Sequence, residues 1–143
     1  MKRALFIVLL VMILTLVIAC KSQPKTTEES FKSVYDRYRK NLILDDAQKY
    51  TVVSGDTLSA ISRGQYQNGF YFPVIMMASS DVVLDPDKIE PGMELTIPDI
   101  QKNLDDPKAR TNIKNFLLDV AKIEDDRSRP QDAEGLRNLA NSL

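Results

Sequence analysis

Tyr50-Thr51-Val52-Val53-Ser54-Gly55-Asp56-Thr57-Leu58-Ser59-Ala60-Ile61 is the stretch on which the fold turns. Tyr50 to Val53 is short and rich in β-branched residues, which predicts a strand. Gly55-Asp56 is a turn signal. Asp56 or Thr57 can cap a helix running to about Arg63, with Leu58 and Ile61 facing inward. A second segment answers the first: Asp85-Pro86-Asp87-Lys88-Ile89-Glu90-Pro91-Gly92-Met93-Glu94-Leu95-Thr96-Ile97-Pro98. It reads as a turn, a loop and a strand over Met93 to Ile97 that Pro98 ends. Between the two, Gly64 to Tyr71 reads as a loop, and Pro73 fits the first turn of a helix reaching about Ser79.

Outward from this core the chain is helical. Phe31, Val34, Tyr35, Tyr38 and Leu42 fall at steps of three and four and predict one face of a helix over 28–48. Glu28 and Glu29 suit its positive end. On the other side, Asp106 can cap a helix with Pro107 at its first position. Ala109, Ile113, Phe116, Leu117 and Val120 form the apolar face of that helix. Arg127-Ser128-Arg129-Pro130 breaks it, and Ala133, Leu136, Leu139, Ala140 and Leu143 give a last short helix its face. Isolated helices of this length are marginal in water, so these faces must pack on something. The fold class expected is α+β: a strand–helix–helix–strand module with an N-terminal helix and C-terminal helices packed around it.

The two quoted segments resemble the two ends of a LysM module, a small domain that binds N-acetylglucosamine-containing glycans such as peptidoglycan. Tyr-Thr-Val, Gly-Asp-Thr-Leu, Phe72-Pro73, Ile75, Ala78, Asp-Pro-Asp, Ile89, Pro91-Gly92, Leu95 and Ile97-Pro98 occur in the family's order. The resemblance covers 50–98 and implies that glycan lies between the first strand–helix loop and the loop before the second strand. Those loops map to Gly55, Asp56, Thr57 and Leu58, and to Asp87, Lys88, Ile89, Glu90, Pro91 and Gly92. Ser79 stands where the family often has an asparagine, and a hydroxyl is a poorer bridging group than an amide. Val74, Met76 and Met77 stand where the family is often polar. Val74 and Met77 share a helix face, which we expect a flanking helix to cover.

An acetamido sugar asks for main-chain polar groups in open loops and an apolar notch. Gly55 and Gly92 let the backbone approach, or serve only as turn residues. Asp56 is a ligand group, a helix cap, or both. Leu58 and Ile89 form the notch for the sugar methyl, or are core.

At the amino terminus Met1-Lys2-Arg3 is basic, Ala4 to Ala19 is an apolar run broken only by Thr15, and Cys20 precedes the polar Lys21 to Thr27. These are the parts of a secretory signal. Val17-Ile18-Ala19-Cys20 resembles a bacterial lipobox, which implies cleavage before Cys20, a diacylglycerol on its sulfur and an acylated new amino terminus. The alternative is an uncleaved signal anchor. The organisation expected is a signal peptide over 1–19, a tether over 20–27, a helix over 28–48, the module over 50–98 and a helical extension over 99–143. That places the protein in a bacterial envelope, held by lipid in a membrane; Lys21 after the cysteine faintly favours the outer one.

Composition narrows the chemistry. The 143-residue chain has 19 basic and 20 acidic side chains and no histidine. No basic stripe invites nucleic acid. Without histidine the commonest metal ligand and the commonest general base near neutral pH are gone, and no phosphate-binding glycine loop is present. The acidic pairs Asp45-Asp46, Asp105-Asp106 and Asp125-Asp126 are adjacent, whereas glycoside hydrolysis needs carboxyls facing across a cleft. The expectation is therefore no catalysis, no metal and no cofactor. Peptidoglycan binding that ties the envelope to the wall is the first function expected. The alternative is an adaptor whose flanking helices recruit an envelope protein.

Overall fold

The computed structural model describes residues 25–143. The signal peptide over 1–19, Cys20 and most of the 20–27 tether lie outside the described residues. The rest is α+β. Its elements are α1 (Thr27–Tyr38), β1 (Gln48–Thr51), α2 (Leu58–Tyr66), α3 (Phe72–Ala78), β2 (Glu94–Ile97), α4 (Ile100–Asp105), α5 (Pro107–Asp126) and α6 (Pro130–Ser142). Short 3-10 turns occupy Arg39–Asn41 and Gly69–Tyr71. None of the described helices is long and apolar enough to cross a membrane.

The strands pair antiparallel, with Gln48 opposite Ile97 and Thr51 opposite Glu94. The β1 strand starts two residues before the expected Tyr50, because pairing, not side-chain type, sets its limits. Beyond Thr51 the main chain still bonds across: Val52 N–H to the Met93 carbonyl at 2.9 Å and Gly92 N–H to the Val52 carbonyl at 2.8 Å. Thr57 caps α2, its hydroxyl accepting from Ala60 N–H at 3.1 Å. That helix runs past Arg63 through Gly64 and ends at Gln67, which takes a left-handed conformation at φ 59°.

A reciprocal capping box starts α1: the Thr26 hydroxyl accepts from Glu29 N–H, and the Glu29 carboxylate accepts from Thr26 N–H. The helix expected over 28–48 stops at Tyr38. Leu42 is extended and buried, and the Asn103 side chain clamps Ile43, accepting from its N–H at 2.9 Å and donating to its carbonyl at 2.8 Å. A distant amide therefore supplies what another turn of helix would have supplied.

Helices α1 and α5 pack together, α6 folds back along α5, and α3 lies against β2, α2 and α5. One hydrophobic core results, reaching from Phe31 through the module to Ala140. All seven α3 residues are buried, and Val74 and Met77 are both at 0% exposure. The cover expected over that face is present. Phe116 is also fully buried, its ring 6.1 Å from Tyr35 and 5.8 Å from Tyr38. Gly135 of α6 sits so close to the Phe70 ring that a Cβ there would overlap it.

Candidate glycan-binding cleft

The turn after β1 and the turn before β2 leave the same end of the ladder, since Val52 bonds both Gly92 and Met93. Both carry a glycine with positive φ, 92° at Gly55 and 95° at Gly92, a conformation that side chains resist. Asp56 does not cap α2. One of its carboxylate oxygens accepts from Val53 N–H and from the Tyr50 hydroxyl, each at 2.9 Å, which closes the first turn. That bond holds the Tyr50 hydroxyl above its usual pKa.

A cleft of about 260 Å³ lies beside these turns. Five expected residues line it: Asp56, Thr57, Leu58, Asp87 and Ile89, with Ser59, Phe72 and Pro86. Leu58 is 2% exposed and belongs to the core, while Ile89 is half-buried against it. The other expected residues are placed differently. Gly55, Glu90, Pro91 and Gly92 are exposed at the turns and do not line the cleft. Lys88 turns to Glu28 of α1, Nζ to Oε1 2.8 Å. Ser79 is buried at 3% exposure and does not line the cleft; its hydroxyl accepts from Thr96 N–H at 2.9 Å and so ties α3 to β2.

The opposite wall comes from the corner between α5 and α6: Glu124, Arg129 and Asp132. Sequence reasoning missed these residues and read 127–130 only as a helix break. The corner is bound to the module by ion pairs. Arg127 reaches Asp87 at 2.6 Å, Asp85 at 3.3 Å and Glu124 at 2.9 Å, and its guanidinium sits 5.5 Å from the Phe31 ring centroid. Arg129 forks onto both Asp87 oxygens. The Arg129 bond, with the charges of both arginines, holds the Asp87 carboxyl below the usual range. Burial pushes Glu124 the other way, against the two arginines. Below the corner the Tyr35 hydroxyl is buried without a hydrogen-bond partner, and burial drives its pKa far up.

The adjacent acidic pairs have structural work. Asp46 pairs with Lys102, Asp106 caps α5 and Asp125 pairs with Arg137. Among the described residues no group of three or more His, Cys, Asp or Glu is placed to hold a metal ion.

Two antiparallel strands with two helices packed on them, and a cleft beside the strand-end turns, make up a small strand–helix–helix–strand module. Residues 50–98 match the LysM domain, a peptidoglycan- and N-acetylglucosamine-binding unit. The chain is also similar to the potassium binding protein Kbp of Escherichia coli O6:H1, 43% identical over 67 residues, which are 47% of this chain and 45% of that protein. It is 39% identical over 61 residues to esterases of Mycobacterium tuberculosis, Rv1288 and MT1326, covering 43% of this chain but 13% of each esterase. The chain thus spans less than half the length of these relatives.

Proposed function

We propose that this protein is a non-catalytic, lipid-anchored envelope protein that binds peptidoglycan through its single LysM module and so ties a bacterial membrane to the cell wall. The observation that carries the reading is the meeting of the Gly55 and Gly92 turns at one end of the ladder, beside a cleft of sugar scale, within a LysM match. The lipobox-like Val17-Ile18-Ala19-Cys20 supports the anchor. One module binds weakly, micromolar to millimolar or about −8 to −4 kcal/mol, and a lipid offsets this by confining it near the wall. The similarity to esterases covers an eighth of their length, too little to carry a reaction over to this chain.

The adaptor reading has less support. The apolar faces of the flanking helices are spent in the shared core, and among the described residues the exposed large apolar side chains are Leu44, Val53 and Val82. A bound cation is a second reading, favoured by the potassium in one relative's name.

The test is sedimentation of the full chain, held in detergent, with purified peptidoglycan. The chain is expected in the pellet and is released by soluble N-acetylglucosamine oligomers; a chain left in the supernatant at excess wall refutes the reading. For the anchor, mass spectrometry of the chain made in a bacterium should find a diacylglyceryl group on Cys20 that Cys20→Ala lacks.

A further inference from the structure

We propose that Arg127 and Glu28 are positioning residues for the glycan: neither lines the cleft, yet from the end of α5 and the start of α1 they hold the loop that does. The inference rests on the glycan reading above and gives the flanking helices a part in it.

Residues 79–93 join α3 to β2 without helix or strand, and Pro86, Asp87 and Ile89 of this stretch line the cleft. Val83 is buried and Ile89 half-buried, which seats the two ends of the lining segment on the core. Between them, Asp87 N–H donates to Asp85 Oδ1 at 3.1 Å and Lys88 N–H to the Asp85 carbonyl at 3.0 Å. These bonds shape the tip but tie it to nothing else. The three charged side chains from Asp85 to Lys88 do that, and all of them reach outside the module. Asp85 and Asp87 pair with Arg127, Asp87 also pairs with Arg129, and Lys88 pairs with Glu28 in the first turn of α1. Among the described residues none of the three pairs with a charge inside 50–98.

Arg127 is itself held. Its side chain is only 13% exposed. The guanidinium lies 5.5 Å from the Phe31 ring centroid, and Glu124 Oε1 accepts from it at 2.9 Å. Placed in this way by α1 and α5, its Nη2 donates to both Asp85 and Asp87. The Lys88–Glu28 pair is exposed and so weaker. A loop that must be in place before a ligand binds lowers the apparent affinity by the fraction of time it is in place. Ionic strength therefore enters the binding of an uncharged sugar, which has no charge of its own to screen.

Titration calorimetry of the full chain in detergent with tetra-N-acetylglucosamine, which is uncharged, tests the inference, with melting temperature read alongside. Arg127→Met should bind about tenfold more weakly, as when the placed loop falls to about a tenth of the population. Arg127→Lys keeps the charge and loses the fork, and should recover part of that loss. Glu28→Lys sets like charges together and should weaken binding about threefold with little change in melting temperature. Adding Lys88→Glu should restore it by remaking the pair with its charges exchanged. Raising NaCl to about 0.5 M should weaken the parent about threefold, and Glu28→Lys less. Should Arg127→Met fold poorly, because it takes from buried Glu124 its closest cation, the exchange of Glu28 and Lys88 decides. Parent affinity in every folded variant at both salt concentrations overturns the positioning role and leaves the glycan reading standing. A loss in Glu28→Lys that Lys88→Glu does not restore also overturns it. A parent that does not bind the probe at low salt refutes the glycan reading itself.

Discussion

One wall of the cleft is held by short-range hydrogen bonds to the Asp56 carboxylate and the other by long-range ion pairs. The Gly55 turn is closed by Asp56 on Val53 and Tyr50, residues at most six positions away. The α5–α6 corner is held by Arg127 and Arg129 on Asp85 and Asp87, some forty positions away. The bonds of the first wall lie wholly within the module. The second exists only while the extension is docked, and the extension docks because both share a core. The shape of the cleft therefore depends on domain packing on one side and is independent of it on the other.

The hardest blow to this picture would come through the core. Phe116→Ala removes a fully buried ring from α5 and should cost about 3–5 kcal/mol. In urea denaturation the variant should still unfold in a single transition, shifted to lower urea. A second, unshifted transition belonging to the module would show that the two regions fold apart.

Gly135→Ala is the next step down. The new methyl group meets the Phe70 ring, and overpacking of this sort costs about 1–3 kcal/mol. A urea midpoint equal to that of the parent would mean that α6 does not press on the module as described.

The local wall is probed by Thr57→Ala. Loss of the α2 cap should cost about 1 kcal/mol, read as a fall in melting temperature, with the Arg127 and Arg129 contacts retained. No change in melting temperature would deny that the cap holds this turn.

The smallest effect is the pH dependence of the ionic wall. The folded pKa of Asp87 lies below its unfolded value, about 3.9. Its contribution is therefore present above about pH 4 and is lost as pH falls through the lower folded value. The difference in melting temperature between the parent and Asp87→Asn should be constant from about pH 5 to 7 and shrink below about pH 4. A difference that does not change with pH would contradict the ion pairs.

The same division explains what the sequence made legible. Gly55, Thr57, Asp106 and Pro107 act on their immediate neighbours, so the first turn and the starts of α2 and α5 could be read directly. The covered face of Val74 and Met77 was readable because apolar residues at helical spacing must meet something. The end of α1 was not, since it depends on Asn103, sixty residues on from Ile43. Nor was the role of Ser79, whose partner Thr96 comes from register. The Glu124–Arg129–Asp132 wall needed the length of α5: twenty residues, about 30 Å of helix, carry the corner back to the loop at Asp85 and Asp87.

The central claim is that the two strand-end turns form one glycan site. Amide chemical-shift mapping of the isotopically labelled full chain during titration with N-acetylglucosamine oligomers tests it most directly. We expect the shifts to gather at 54–59 and 86–92, with weaker ones at 124–132. Shifts confined to the far end of the ladder, around Asp46, Gln48 and Asp99, or no shifts at saturating oligomer, would contradict it.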